Sequence, residues 1–458
     1  MSFRFLRTGA FGFALICLSA AAGHAQDVPD MDDIATNIFQ QETLLGHSIA
    51  TRKTLEDKGV SLGADEIFDT LGNPTGGDKQ GLAFEGRFEL FASIDLQKAL
   101  GLDGLLFHVN AYQIHGNGLS ADDVGNLLTV SNIGAKSSTR LFGLWLQKSL
   151  YNDTLSIRAG QLAADDEFFI SQYASLFINS AFGWPSIMGI NLPSGGPAYP
   201  LATPGMRVKW AISPALVATT AIFNGDPAPA GPGDAQTRDA AGVNFRLNGN
   251  LFWISELAYT ASLPIGSDTL PGTFKLGGWY HDGVFLDQRY DTAGLSLANP
   301  ASGGFAAPHR GNFGAYVIAD QQLWRPQGAT GQGLAAFFRA GGDPGMRNLI
   351  EFHFDTGISY AGLFPGRDSD TIGLGFSYDQ VGSAARALGQ DQARFASLAL
   401  PAPDFESALE LTYQAQVAPW WILQPDAQLI LHPGARLGAT PSPPGNAVVL
   451  GFRTAISF

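Results

Sequence analysis

The sequence predicts an all-β protein, a transmembrane antiparallel β-barrel of 16 strands with 18 as the alternative. Three observations carry that reading. Apolar and polar residues alternate with period two in one segment after another from residue 60 onward. Beyond the N-terminal leader, no stretch reaches the roughly 18 apolar residues of a membrane helix, because Asp, Glu, Arg or Lys interrupts every apolar run. The chain closes on an amphipathic segment whose last residue is Phe458.

Composition supports the same class. The 56 glycines and 11% aromatic residues suit a β chain with many turns, whereas a soluble helical protein carries more Ala, Leu, Glu and Lys. The formal charge of −14 argues against nucleic acid as a partner. Residues 1–25 read as a signal peptide. Arg4 and Arg7 form its positive start, 11–18 its short apolar run, and Gly23-His24-Ala25 its small-residue cleavage site. Cys17 is the only cysteine and falls within that leader, so the mature chain has no thiol for a disulfide or a metal. The sequence calls for no cofactor.

Residues 26–59 read as an N-terminal helical periplasmic segment. Ile34, Ile38, Leu45, Ile49 and Leu55 recur at helical spacing, and Gly59 after Lys58 is a stop signal. The barrel then occupies 60–458. In 81–97, Phe84, Phe88, Leu90, Ala92 and Ile94 share one face, while Glu85, Arg87, Glu89, Ser93 and Asp95 share the other. That is the apolar-out, polar-in pattern of a strand between lipid and a water-filled lumen. It recurs at Phe107–His108–Val109, Leu155–Ser156–Ile157–Arg158, Met206–Arg207–Val208–Lys209 and Val243–Asn244–Phe245–Arg246–Leu247. Trp253 with Tyr259, and Trp420 with Trp421, read as interfacial girdles. In the last segment Val448, Leu450, Phe452, Ile456 and Phe458 line the apolar face, an address for the outer-membrane assembly machinery.

The count gives roughly seventeen candidate strands, one more than an even-numbered barrel allows. Short turns alternate with long loops except between 261 and 310, which places the miscount there. Segments near 117–139, 163–203, 283–309 and 382–402 are expected outside the cell. Tyr151-Asn152-Asp153, Ser213-Pro214 and Asn248-Gly249 are expected as periplasmic turns.

Several runs are similar to the OprB-type carbohydrate-selective porins: RAGQLAADDEF (158–168), GGPAYPLATPGMRV (195–208), LPGTFKLGGWYHDG (270–283), HRGNFGAYVIADQQLWR (309–325), GLFPGRDSDTIGLGFSY (362–378) and PWWILQPDAQLILHPG (419–434). Where that family usually carries LLGDWGGLR, this chain has LLGHSIATR (44–52). The resemblance implies a monomeric barrel of sixteen strands in the outer membrane of a Gram-negative bacterium, with outer-membrane lipid around it. It also implies passive diffusion of small neutral sugars, glucose by default.

Sugars carry many hydroxyls and apolar ring faces. A constriction that passes them needs acceptors, planar donors and aromatic surface held close together, with binding weak enough for exit. The candidates for substrate contact and constriction are Arg87 and Glu89 on one strand, Arg158 on another, and Asp165, Asp166 and Glu167 at the root of the longest loop. Trp184 and Tyr199 are the candidate ring faces. Adjacent acids such as Asp165 and Asp166 also cap turns. Trp184 before Pro185 also suits loop packing. A glycosidase would need two paired acids and a lipase a Ser/His pair, but no GxSxG or HExxH occurs and the histidines are scattered. A channel is therefore the expectation, and a general, non-selective porin is its nearest competitor.

Overall fold

The computed structural model describes residues 41–46, 50–329, 331–397, 401–437 and 442–458. Its sixteen strands are β1 (Val60–Gly77), β2 (Leu82–Asp95), β3 (Leu105–Gly116), β4 (Ser138–Leu150), β5 (Leu155–Leu162), β6 (Thr203–Ser213), β7 (Leu216–Asn224) and β8 (Leu251–Ile265). They continue as β9 (Asp268–Asp291), β10 (Ala306–Trp324), β11 (Gly333–Gly342), β12 (Ile350–Ala361), β13 (Thr371–Val381), β14 (Phe405–Ala418), β15 (Trp421–Leu431) and β16 (Gly445–Ser457).

Each strand pairs antiparallel with its sequence neighbours, and β1 closes on β16 from Asp65↔Ser457 to Gly77↔Gly445. Closure is a requirement in lipid, where nothing satisfies an open sheet edge. The wall is apolar outside and polar inside. On β2, Leu82, Phe84 and Leu90 are exposed, whereas Glu85 and Glu89 are buried toward the lumen. An exposed aromatic row crosses three strands near the outer end, with Trp253 opposite Tyr280 and Tyr280 opposite Phe313. Tyr259 lies opposite Leu216, next to the turn at 214–215, so it belongs to the other girdle from Trp253.

At the end that holds the C-terminus the turns at 151–154, 214–215, 266–267 and 419–420 are short. At the opposite end, taken as extracellular, the connections 117–137, 163–202, 225–250, 292–305 and 382–404 are long.

Two expectations need correction. Residues 239–250 form no strand, so Asn248-Gly249 is not a periplasmic turn, and the extra strand lay there and not between 261 and 310. The 261–310 region looked irregular because counting a strand at 239 inverts the alternation of short turns and long loops after it; the tight turn there is Gly266-Ser267, flanked by Pro264 and Pro271. Both prolines are nevertheless accommodated in β8 and β9. Of the predicted N-terminal helix, Ala50–Asp57 is helical, and Arg52 ties it to the rim by donating to the Phe458 (3.0 Å) and Leu62 (3.2 Å) carbonyls. The expected signal peptide and residues 26–40 lie outside the described residues.

Candidate functional site

Many lumen carboxylates hold loops in place. The β5–β6 loop folds into the barrel and hangs its backbone N–H groups on wall acids. Phe169 donates to Glu256 (3.2 Å), Gln172 to Asp320 (2.9 Å), and Ile178 and Asn179 to the two oxygens of Glu410 (2.6 and 2.9 Å). Leaving a buried N–H without an acceptor costs about 1–3 kcal/mol, so this set of partners fixes the loop firmly. Arg339 works in the opposite sense. It pairs with Asp355 at 2.8 Å and donates to the carbonyls of Phe169, Ala181 and Gly183 at 2.8, 3.1 and 3.0 Å.

The wall leaves room for this loop. A Cβ on Gly373 would lie 2.5 Å from Leu176, and one on Gly375 2.8 Å from Phe182, so β13 needs glycine where the loop packs. Phe177 packs tilted and Phe182 edge-on against Phe337 of β11, with ring centres 5.7 and 6.2 Å apart. The β3–β4 loop also folds inward. Leu127 and Leu128 donate to Glu406, and Asn132 accepts from Arg453, itself paired with Asp69 at 2.7 Å. These attachments run along the wall from β8 through β10, β11 and β14 to β16.

Along β4–β6 the loop root and the wall form a mixed-charge ring. Arg158 and Arg207 lie directly opposite each other on β5 and β6. Two like charges so placed repel. Glu167 lies 2.9 Å from both guanidiniums and supplies the shared counter-charge. Gln147 accepts from both as well, at 3.0 Å and 2.9 Å. The Arg158 guanidinium lies 3.9 Å from the Trp145 ring centre, and Trp145 also stacks with His108 at 4.8 Å. Lys209 shares the lumen face of Arg207, is exposed, and makes no hydrogen bond or ion pair among the described residues. Next along the wall, Arg87 sits 4.8 Å from the Tyr112 ring and 5.4 Å from that of Tyr199, and Glu89 accepts from Asn110 at 2.9 Å.

The predicted residues thus divide by partner. Arg158 and Glu167 meet in one ion pair. Arg87 and Tyr199 come together as cation and ring. Asp165 accepts from the Tyr199 backbone N–H at 2.9 Å, which is the turn-capping role. Asp166 makes no hydrogen bond among the described residues and is half-buried beside the ring. Trp184 donates through its indole N–H to the Gly195 carbonyl at 3.1 Å and packs on the loop's apolar core. It shares a cavity of about 360 Å³ with Asp165, Phe169, Tyr199 and residues 234–236 of the β7–β8 loop. Sequence reasoning missed Trp145, Gln147, Tyr112 and Arg140. Arg140 donates to the Pro200 carbonyl at 2.9 Å and to that of Gln236 at 3.2 Å, linking the β5–β6 and β7–β8 loops to β4. The lumen parity of Trp145 is hidden by a bulge in β4, where Asn110↔Gly143 gives way to Ala111↔Leu141.

The family model for carbohydrate-selective porins of the OprB family matches residues 79–458. Porin B of Pseudomonas aeruginosa is 25% identical over 413 residues, spanning 85% of this chain and 87% of its own. The high-pH structure of Pseudomonas putida OprB matches at a TM-score of 0.81 with 23% identity, covering 92% of this chain and 99% of that one. It has the same fold.

Proposed function

Since the chain belongs to the carbohydrate-selective porins of the OprB family, a channel of the outer membrane, we propose that it passes glucose-sized neutral monosaccharides by passive diffusion, as a monomer. One observation carries the reading. Arg158, Arg207 and Lys209 share the inward face of β5 and β6, Glu167 pairs with both arginines next to Asp166, and the Trp145 ring lies under the Arg158 guanidinium. Planar donors, carboxylate acceptors and an aromatic surface on one wall suit a hydroxylated solute with an apolar ring face. Charges of both signs keep the ring from excluding one sign of ion outright, so preference for a sugar rests on hydrogen bonding and width.

Arg87 with Tyr112 and Tyr199, and Glu89 with Asn110, offer a second set of partners along the same wall. Asp165 shapes the loop root, and Trp184 shapes the vestibule. The signal peptide is cleaved after Ala25, and the strand ending at Phe458 addresses the chain to the assembly machinery.

Single-channel recording with and without glucose tests the proposal. Millimolar glucose reduces the ion current of the wild-type channel, and Arg158→Ala weakens that block roughly tenfold, the loss of about one charge-assisted hydrogen bond. A wild-type channel whose current ignores glucose is a general porin, and the sugar-site reading then fails.

A further inference from the structure

The β7–β8 loop builds an apolar cleft on the outside of the barrel, away from the permeation path. β4 runs up to Ser138, but its neighbour β5 stops at Leu162, where the chain turns into the lumen. Above the pair Leu144↔Gln161 the β5-side edge of β4 has no strand beside it. The loop closes that edge. The Leu141 N–H donates to the Ala241 carbonyl at 3.0 Å, and the Gln161 amide donates to the carbonyls of Leu141, Phe142 and Gly242 at 3.3, 3.0 and 2.9 Å. Gly242 has φ +64°, and a Cβ there would lie 2.0 Å from the Leu141 carbonyl oxygen, so only glycine permits the approach.

Gln161 lies on the outward face, three residues from lumen-facing Arg158, yet it is 3% exposed. The loop therefore covers the wall from outside. Beyond Gly242 the chain presents Val243, Phe245 and Leu247, which are 56%, 49% and 83% exposed. Phe245 and Leu247 join Leu144, Met206, Ile222 and Leu251 of the outer wall around a cleft of about 540 Å³.

We propose that this cleft binds an acyl chain of an outer-leaflet lipid. The cleft is continuous with the lipid-facing wall: Met206, Ile222 and Leu251 are exposed outward on β6, β7 and β8. The loop that forms its far side descends from the extracellular end, which selects the outer leaflet. Phe245 and Leu247 sit with apolar surface uncovered, and hydrocarbon is the medium that this face of a barrel meets. An acyl chain laid there seals the seam between β4 and β6 by covering the segment that completes the β4 edge.

Native mass spectrometry of the detergent-purified full barrel tests this, with lipid A added in one arm and dipalmitoyl phosphatidylethanolamine in the other. The wild type retains one molecule of lipid A, and retention of the phosphatidylethanolamine alone overturns the outer-leaflet assignment. The double variant Phe245→Ser/Leu247→Ser binds lipid A roughly tenfold more weakly. Leu276→Ser, on the lipid-facing wall of β9 outside the cleft, binds like the wild type. Heat-modifiable migration and an unchanged single-channel current show that the double variant is folded. Met206→Ser, which changes the cleft from the wall side, serves if it is not. Equal retention by the wild type, the cleft variants and Leu276→Ser overturns the proposal, as does a lipid-free dimer that the cleft variants dissociate.

Discussion

At the scale of single residues, the constriction is governed by which charges have partners. Arg158 and Arg207 share Glu167 and Gln147, which leaves Lys209 and Asp166 as the groups without hydrogen bonds among the described residues. A second consequence of pairing concerns Asp343, in the extracellular connection between β11 and β12. It accepts from Asn191 of the constriction loop at 2.8 Å. Burial, with Glu351 adding to it and the Asn191 hydrogen bond opposing, pushes Asp343 up to about 8. Its carboxyl binds a proton in the folded state at pH values where the unfolded chain has lost it. The contribution of this group to stability is therefore greatest below the usual carboxylate range and is lost as pH rises toward about 8. Thermal midpoints measured between about pH 5 and about pH 9 decline for the wild type, and Asp343→Asn flattens the part of that decline due to this group. An identical slope in both proteins removes Asp343 from the account. Sequence reading found the charged residues of the ring by parity, but parity says nothing of partners. Adjacency marks Asp165 as a candidate turn cap, but nothing in the sequence shows that Glu167 bridges two arginines.

At the scale of elements, the constriction loop is held by wall groups that resemble solvated lumen charges when only the strand pattern is in view. Glu256, Asp320 and Glu410 obey the inward alternation, and nothing in β8, β10 or β14 reveals that each accepts loop N–H groups. The glycines at 373 and 375 are a signal of loop packing, legible only once the strand is placed. Deleting residues 174–193 removes the segment that packs on Phe337 and β13, and raises single-channel conductance on the order of twofold or more. Unchanged conductance would mean that this segment does not narrow the path. The β7–β8 loop shows the limit of period-two reading. Val243, Phe245 and Leu247 alternate with Asn244 and Arg246 as a strand would, because an extended segment on an apolar surface meets the same demand as a strand facing lipid.

At the scale of the whole molecule, most of the fold was legible because a barrel in lipid repeats one rule along the chain. Apolar residues face out, polar residues face in, and the last strand must find the first. The register from Asp65↔Ser457 upward completes that rule, and Arg52 braces the seam by binding the C-terminal Phe458. What the rule does not contain is the interior. Two loops fold inward onto wall groups from β8 to β16, and the Arg158–Glu167–Arg207 ring sits at the root of one of them, along β5 and β6. On the proposed function, this ring favours sugars over other neutral solutes of equal size. Liposome swelling measures it most directly, comparing glucose with a neutral solute of matched size that lacks the hydroxyl array. Faster entry of glucose is the predicted result, and rates that follow solute size alone would contradict it.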